Sequence, residues 1–140
     1  MRRLRTASYA RPVHLDEFRA PVASLTRELA VVSVSGELNL DTAKRVQTGI
    51  DEAGTVGADK VIVDLSETSF IDSAALGVLV QETKRLEGRG QSLVLVTNDP
   101  RTVRVLEAAG LNRVLRTYAT LHDAFSELAA EPPDLAATAR

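Results

Sequence analysis

The stretch that decides the fold runs from Lys60 to Val80 and reads KVIVDLSETSFIDSAALGVLV. Its opening, KVIVDL, is an apolar run rich in β-branched residues, as is typical of a central strand buried on both faces. The SETS segment predicts a turn, and Phe70 and Ile71 lead into the next element. Beyond Ser73 the apolar side recurs at helical spacing, at Leu76, Leu79, Val80, Thr83 and Leu86. The stretch therefore predicts a middle strand followed by a helix that packs on the sheet.

The flanking sequence extends this alternation in both directions. ELAVVSVSGEL (28–38) predicts a strand, and APVASLTRE (20–28) predicts a shorter antiparallel partner. Asp41 or Thr42 is expected to cap a helix that runs to about Ala53. SLVLVT and RVLRTY predict two more strands, and helices are expected after Asn98 or Asp99 and after Thr120. The order β-β-α-β-α-β-α-β-α predicts an α/β fold with a mixed sheet of about five strands, mainly parallel crossovers and helices packed on it.

Composition excludes several classes of function. The chain has 140 residues, enough for one domain, and 17 Lys and Arg against 19 Asp and Glu give it a net charge of −2. Such a balance offers no general attraction to nucleic acid or to an anionic membrane. Without cysteine and with only two histidines, thiol catalysis and transition-metal sites are not expected. No apolar stretch of about 18 residues or secretory signal is visible, so we expect a soluble, cytoplasmic protein without cofactor or metal.

The two ends differ in composition from the middle. Residues 1–20 contain five arginines against Asp16 and Glu17, with little periodicity, and residues 131–140 read EPPDLAATAR. These patterns predict a flexible Arg-rich N-terminal tail, a domain over 21–130 and a flexible C-terminal tail. The Arg-rich tail is interpreted either as a solvated extension or as a contact for an acidic partner or nucleic acid.

The Asp72-Ser73 pair is the main candidate for chemistry. In one interpretation Ser73 is a plain N-cap, whose hydroxyl accepts a hydrogen bond from an amide of the first helical turn. In the other, the hydroxyl lies near the surface and accepts a phosphate, which the free amides and the positive end of the helix dipole would tolerate. Asp72 is expected to orient the hydroxyl or to bond loop amides, because no histidine accompanies it as a general base.

Three stretches carry a resemblance to a known family: VIVDLSETSFIDSAALGVLV, VSVSGELNLDTA and VRVLEAAGLNRVLRTYATLHDAF. Together they resemble the STAS domain of bacterial anti-sigma factor antagonists over about residues 21–130. In that family the serine of a D-S-x-x-L-G motif is the phosphoacceptor, which corresponds here to Ser73, with Asp72, Leu76 and Gly77 also matching. The resemblance implies a partner switch rather than an enzyme. The unphosphorylated antagonist binds an anti-sigma factor, a serine kinase of the histidine-kinase-like ATPase group, and so frees a sigma factor; phosphorylation reverses this, and a serine phosphatase restores the active form.

The expected contact surface comprises Asp72 to Leu79, including Ala74, together with the GELNLDT loop that carries Asn39 and Thr42. The two loops follow strands that we expect to be adjacent. Two positions depart from the family pattern: Asn39 stands where aspartate is common, and Ala75 where glycine is frequent. Asn39 favours an alternative, a STAS-like scaffold that is never phosphorylated and belongs to a stress-signalling assembly or accompanies a lipid transporter.

Other catalytic or phosphoryl-transfer classes fit less well. Asp64 follows a central strand, as the phosphoacceptor of a receiver domain does, but the acidic pair for magnesium and the later lysine are missing, so a structural role is expected. A hydrolase would need a G-x-S-x-G elbow and a suitable histidine, whereas His122 is expected at the surface. No phosphate-binding P-loop is present.

Overall fold

A computed structural model describes residues Glu17–Glu131. The strands are β1 (Val22–Ser24), β2 (Leu29–Leu38), β3 (Lys60–Ile71), β4 (Ser92–Val96) and β5 (Arg116–Tyr118). The helices are α1 (Leu40–Thr55), α2 (Ser73–Glu87), α3 (Pro100–Ala108) and α4 (Leu121–Ala130), and a short 3₁₀ turn, Leu111–Arg113, precedes β5. The predicted order of strands and helices is confirmed.

The five strands form one mixed sheet in the order β1-β2-β3-β4-β5. β1 is antiparallel to β2, and the other neighbours are parallel. Parallel neighbours need crossover connections, which α1, α2 and α3 supply in turn. The carboxyl ends of β2 and β3 therefore meet at one edge of the sheet, called here the switch edge, where α1 and α2 begin.

Both faces of the sheet are covered, which explains the continuous apolar run of β3. Alternate strand residues such as Val61 and Val63 face a core with residues of α1, α2 and α3, while Ile62 faces a smaller core with Ala124 and Leu128 of α4. All five of these side chains are at most 1% exposed. A strand that is buried on both faces has no side exposed to solvent, so its sequence does not alternate between apolar and polar residues.

The SETS segment is not a turn, contrary to the sequence interpretation, because β3 continues through it to Ile71. The strand has a bulge at this segment. Ser33 pairs with Asp64, but Ser35, two residues later, pairs with Glu67, three residues after Asp64. Local bonds satisfy the groups that the bulge displaces, since the Asp64 carboxylate accepts from the Ser66 amide at 3.0 Å and Thr68 Oγ1 donates to the Leu65 carbonyl at 2.6 Å. Polar residues that predict a turn can equally stabilise a bulge.

The fold also begins earlier than residue 21. Phe18 is 8% exposed, and Arg19 and Ser35 exchange two backbone hydrogen bonds of 3.0 and 2.9 Å. Residues 17–20, assigned to the tail from sequence, therefore belong to the packed structure. The remainder of that tail, 1–16, and residues 132–140 lie outside the described residues.

Candidate functional site

The register of β2 and β3 brings the two candidate loops together. Leu38 pairs with Ile71 at the ends of these strands, and the Asp72 amide donates to the Leu38 carbonyl at 3.1 Å. The expected adjacency of the two strands is confirmed, and α1 and α2 begin side by side at the switch edge.

Asp72, rather than Ser73, caps α2. Its backbone is extended, and its carboxylate accepts a hydrogen bond from the Ala75 amide at 2.8 Å. The Leu76 amide donates to the Asp72 carbonyl at 3.2 Å, which closes the first turn. The interpretation of Ser73 as a plain N-cap is therefore wrong, because the residue before it already fills that position.

Ser73 is the first helical residue and is exposed. Among the hydrogen bonds found in residues 17–131, none involves its hydroxyl or the amides of Ser73 and Ala74. These amides are two of the donors that every helix leaves unpaired at its start. The hydroxyl therefore lies beside two available N–H groups and the positive end of the helix dipole, without a structural task of its own.

Asn39 and Thr42 form a capping box at the start of α1. The Thr42 amide donates to Asn39 Oδ1 at 3.0 Å, and the Asn39 amide donates to Thr42 Oγ1 at 2.8 Å. The Thr42 hydroxyl donates to the Glu37 carbonyl at 2.8 Å. The N-cap is thus Asn39, not Asp41 or Thr42 as expected from sequence. The side chains of Asn39 and Thr42, both predicted contact residues, stabilise the conformation of this loop.

Of the remaining predicted contact residues, some are exposed and others are buried. Ala74 and Gly77 are exposed on the first two turns of α2, and a Cβ added to Gly77 would meet nothing within 4 Å. Leu76 is only 2% exposed and packs in the core, as does Leu79, so little of either side chain is open to a partner. A helix that packs on a sheet buries the side chains of one face in the core.

Sequence reasoning missed two exposed apolar side chains at the switch edge. Leu40 begins α1 with 55% of its surface exposed, and Phe70 precedes the Ile71-Asp72 junction with 53% exposed. The bulge in β3 shifts the strand alternation, so the direction of Phe70 could not be read from sequence. Beside Phe70 a groove is lined by Ile71, Leu76, Thr102 and Val105 and, at its rim, by Ser69, Asp99 and Arg101.

Asp99, at the rim of this groove, has a shifted pKa. Hydrogen bonds from the backbone and side chain of Arg101 hold the pKa of Asp99 below its ordinary value. Asp99 also caps α3 by accepting from the Arg101 amide at 3.0 Å. The groove rim therefore keeps a carboxylate at neutral pH, balanced by the guanidinium two residues on.

The other candidate residues carry no site. Asp64 bonds Ser66 within its own strand rather than at a turn or helix cap, and His122 is exposed on α4 as expected. Between Glu17 and Glu131 no three His, Cys, Asp or Glu side chains are grouped so that they could hold a metal ion. In the same residues, no helix combines the length and apolar character needed to cross a bilayer.

The fold and the site together define an α/β domain that presents a serine hydroxyl at a helix start. The family model described as "STAS domain" matches residues 20–124, and the chain belongs to this family. Anti-sigma-F factor antagonist RsfB of Mycobacterium tuberculosis is 30% identical over 98 residues, which cover 70% of this chain and 80% of RsfB.

Solved structures agree with this assignment. The crystal structure of an anti-sigma factor antagonist from Mycobacterium paratuberculosis matches with a TM-score of 0.70 and 28% identity, covering 80% of this chain and 94% of that one. The unphosphorylated form of the anti-sigma factor antagonist SpoIIAA has the same fold, with a TM-score of 0.66 at 22% identity, over 81% of this chain and 98% of SpoIIAA.

Proposed function

We propose that this protein is an anti-sigma factor antagonist whose binding to its anti-sigma factor is controlled by phosphorylation of Ser73. The observation that carries the proposal is the exposed Ser73 hydroxyl at the first position of α2, with Asp72 already serving as the cap. A phosphate on this oxygen disturbs no hydrogen bond found in residues 17–131 and gains the free amides of the first turn. The relatives described above, which are anti-sigma factor antagonists, support the same role.

The proposed partner is an anti-sigma factor that is also a serine kinase of the histidine-kinase-like ATPase group. Binding of the unphosphorylated chain would sequester this kinase and release a sigma factor in the cytoplasm, and a serine phosphatase would regenerate the active form. The chain itself acts as a binding module, not as an enzyme.

The proposed contact surface consists of Ser73, Ala74 and Gly77 on α2 with Leu40 and Phe70 beside them. Small side chains on the first turns of α2 allow a partner to approach the helix closely, and the two exposed apolar side chains offer area to bury. A phosphate adds about −1.5 to −2 charges at neutral pH. An interface fitted to a neutral hydroxyl would then face bulk, charge and a costly desolvation, so the partner dissociates.

The capping role of Asn39 does not need the charge that aspartate would carry, which supports the phosphorylated antagonist over the scaffold alternative. Its side-chain oxygen caps α1, a task that asparagine and aspartate perform about equally well. The departure from the family pattern is thus compatible with an intact loop, and Ser73 remains accessible.

The proposal is tested by incubating the protein with its cognate kinase and ATP and measuring intact mass. We expect a gain of one phosphate, absent in Ser73→Ala and retained in Ser66→Ala, which removes another exposed hydroxyl of the β3–α2 segment. Ser73→Asp is expected to unfold at the same urea concentration as wild type yet to bind the kinase at least about tenfold more weakly. Phosphate on another residue, or full affinity in Ser73→Asp, would contradict the switch.

The position of the contact surface has a separate test in Gly77→Ala. Alanine in a helix interior stabilises by roughly 0.5–1 kcal/mol relative to glycine, and the new Cβ meets nothing within the protein. We expect this variant to be more stable but to bind the kinase more weakly, because the methyl group blocks close approach. Glu87→Ala, at the far end of α2, is the control that should leave affinity unchanged. Unchanged affinity in Gly77→Ala would remove Gly77 from the surface.

A further inference from the structure

The groove beside Phe70 exists because two neighbouring strands end at different levels. Val96, the last residue of β4, pairs with Asp64, whereas β3 continues to Ile71. Beyond the end of β4, the space between the last residues of β3 and the start of α3 is therefore not filled by a strand. This space, called here the Phe70 groove, has a volume of about 110 Å³. An apolar cavity of roughly 150 Å³ holds one benzene molecule, so the groove suits a single aliphatic side chain.

The Phe70 groove exposes apolar surface that the fold itself does not cover. Of the residues that line it, Leu76 and Thr102 are buried, whereas Phe70 and Val105 are 53% and 45% exposed. No side chain of residues 17–131 fills the space between them. An apolar side chain placed there would remove the exposed surface of both residues from water, which is favourable in proportion to the area buried.

Negative charge surrounds the groove. Three stretches of the chain join the strands to the helices at this edge of the sheet: residues 37–42, 66–73 and 97–101. They contain five acidic side chains against one basic side chain, Arg101. Asp99 lies at the rim of the groove, and Glu37, which pairs with Phe70 on the neighbouring strand, is exposed. Because opposite charges attract across an interface, an occupant that carries positive charge beside its apolar side chain is favoured.

The groove adjoins the proposed phosphorylation site. Ile71 and Leu76, which both line it, lie two residues before and three residues after Ser73. Residues three apart on a helix are surface neighbours, with about 5–6 Å between their Cβ atoms. A side chain anchored in the groove would therefore hold the rest of its own chain close to the Ser73 hydroxyl.

We propose that the Phe70 groove is the docking site for one aliphatic side chain of the anti-sigma factor kinase, carried on a segment that also bears lysine or arginine. The inference rests on the proposed function and deepens it by naming what the partner inserts. The partner's cation pairs with Asp99 on the α3 side of the groove, while the small residues of α2 lie on the other side. A phosphate on Ser73 acts on that other side, through its bulk and the cost of desolvating it.

The first test uses the full chain and three short peptides, which makes it independent of any kinase. The peptides acetyl-Arg-Leu-Arg-amide, acetyl-Glu-Leu-Glu-amide and acetyl-Arg-Ala-Arg-amide are titrated into ¹⁵N-labelled protein. NMR follows the amide shifts of Phe70, Thr102 and Val105, with the Val56 amide at the opposite edge of the sheet as reference. We expect saturable shifts with the first peptide and at least about fivefold weaker binding of the other two. One of them lacks the cations that pair with Asp99, and the other lacks most of the apolar area.

The second test measures the kinetics of Ser73 phosphorylation by the cognate kinase. Val105→Glu should raise the KM for this protein at least about tenfold with little change in kcat, because it places a charge in the groove and leaves the reacting groups untouched. Val56→Glu is the matched control, since Val56 is an exposed valine at the end of α1, on the opposite edge of the sheet. It should leave the KM unchanged.

Two charge variants at the rim should act in opposite directions. Asp99→Asn keeps the cap of α3, because asparagine caps as well as aspartate, but removes the negative charge, so the KM should rise about threefold. Arg101→Gln removes the basic charge beside it and should lower the KM by a similar factor. Reversed signs would mean that the inserted segment is acidic and would overturn the inference.

Other results would also overturn the inference. They are equal binding of the three peptides, an unchanged KM in Val105→Glu, or groove amide shifts that appear when the chain alone is concentrated, which would assign the groove to a second copy. A kinase that fails to modify Ser73 would instead contradict the proposed function, whereas the peptide titration would still report on the groove.

Discussion

At the residue scale, the site depends on which of two adjacent polar residues caps α2. Asp72 provides the cap, with its carboxylate 2.8 Å from the Ala75 amide, and so leaves the Ser73 hydroxyl without an intramolecular role. Had Ser73 been the cap, phosphorylation would have replaced a structural hydrogen bond. The division of tasks between the two residues allows a covalent change at Ser73 with little effect on the start of the helix.

Substitutions of Asp72 test this division of tasks. Asp72→Ala should lower the free energy of unfolding by about 1 kcal/mol, because it removes the cap. Asp72→Asn should remain within about 0.3 kcal/mol of wild type, since asparagine caps as well as aspartate. Urea unfolding followed by circular dichroism measures both. Equal loss in the two variants would show that the charge of Asp72, rather than its capping bond, stabilises α2.

The sequence predicted the Asp72-Ser73 pair as the candidate site but could not divide its tasks. Asp and Ser cap helices about equally well, and so do Asn39 and Asp41 as residue types. The choice depends on where each strand ends, which the Leu38–Ile71 pairing and the Asp72 amide bond to Leu38 determine. These are contacts between distant parts of the chain, and no local pattern encodes them.

At the element scale, a cluster of polar side chains joins α1 to α2. Glu82 of α2 is 5% exposed, and its carboxylate accepts from Arg85 and from Gln47 Nε2, the latter at 3.1 Å. Arg85 also binds Asp51 of α1. The hydrogen bond to Glu82 raises the pKa of Arg85 above its usual range, so the guanidinium stays charged and compensates the buried carboxylate.

Removing only one charge of this cluster should be more harmful than removing both. Arg85→Met leaves Glu82 without its cation and should cost about 2 kcal/mol of unfolding free energy, less than for a fully buried pair because Arg85 is partly exposed. The double variant Glu82→Gln/Arg85→Met should recover most of this loss. Arg89→Met, an exposed arginine just after α2, is the control and should change stability by less than about 0.5 kcal/mol. Chemical unfolding would contradict the account if the double variant were the least stable.

Element types were predictable where periodicity was strong. The stripes of α1 and α2, the β-branched runs of β2, β3 and β4, and the cap of α4 at Thr120 all appear in the structure. The polar SETS segment and the exposed Phe70 were not predictable, because a bulge removes the period of two on which strand reasoning depends.

At the scale of the whole molecule, the entering chain couples the edge of the sheet to α1. Phe18 packs in the main core under Arg45 of α1, and Ser33 and Ser35 donate to the Pro21 and Arg19 carbonyls. No sequence pattern predicted this packing, since residues 17–20 have no periodicity and follow an Arg-rich segment. β1 covers the outer side of β2 only at residues 30–32, so this pairing extends the cover and protects β2 from pairing with other chains.

Gly36→Ala tests whether this entry is part of the cooperative fold. Alanine at φ of +93° is strained by roughly 1–2 kcal/mol, and its Cβ would also displace Glu17 and Phe18, so we expect a total loss of about 3 kcal/mol. Gly110→Ala is the matched control, because Gly110 also has positive φ (+73°) but a Cβ there meets nothing within 4 Å. It should cost about 1 kcal/mol, the conformational strain alone.

Hydrogen exchange separates the two effects. The Ser33 and Ser35 amides should exchange faster in Gly36→Ala than its global stability explains, while in Gly110→Ala they should follow global unfolding. Unchanged protection of both amides in Gly36→Ala would mean that the entering chain tolerates the added Cβ.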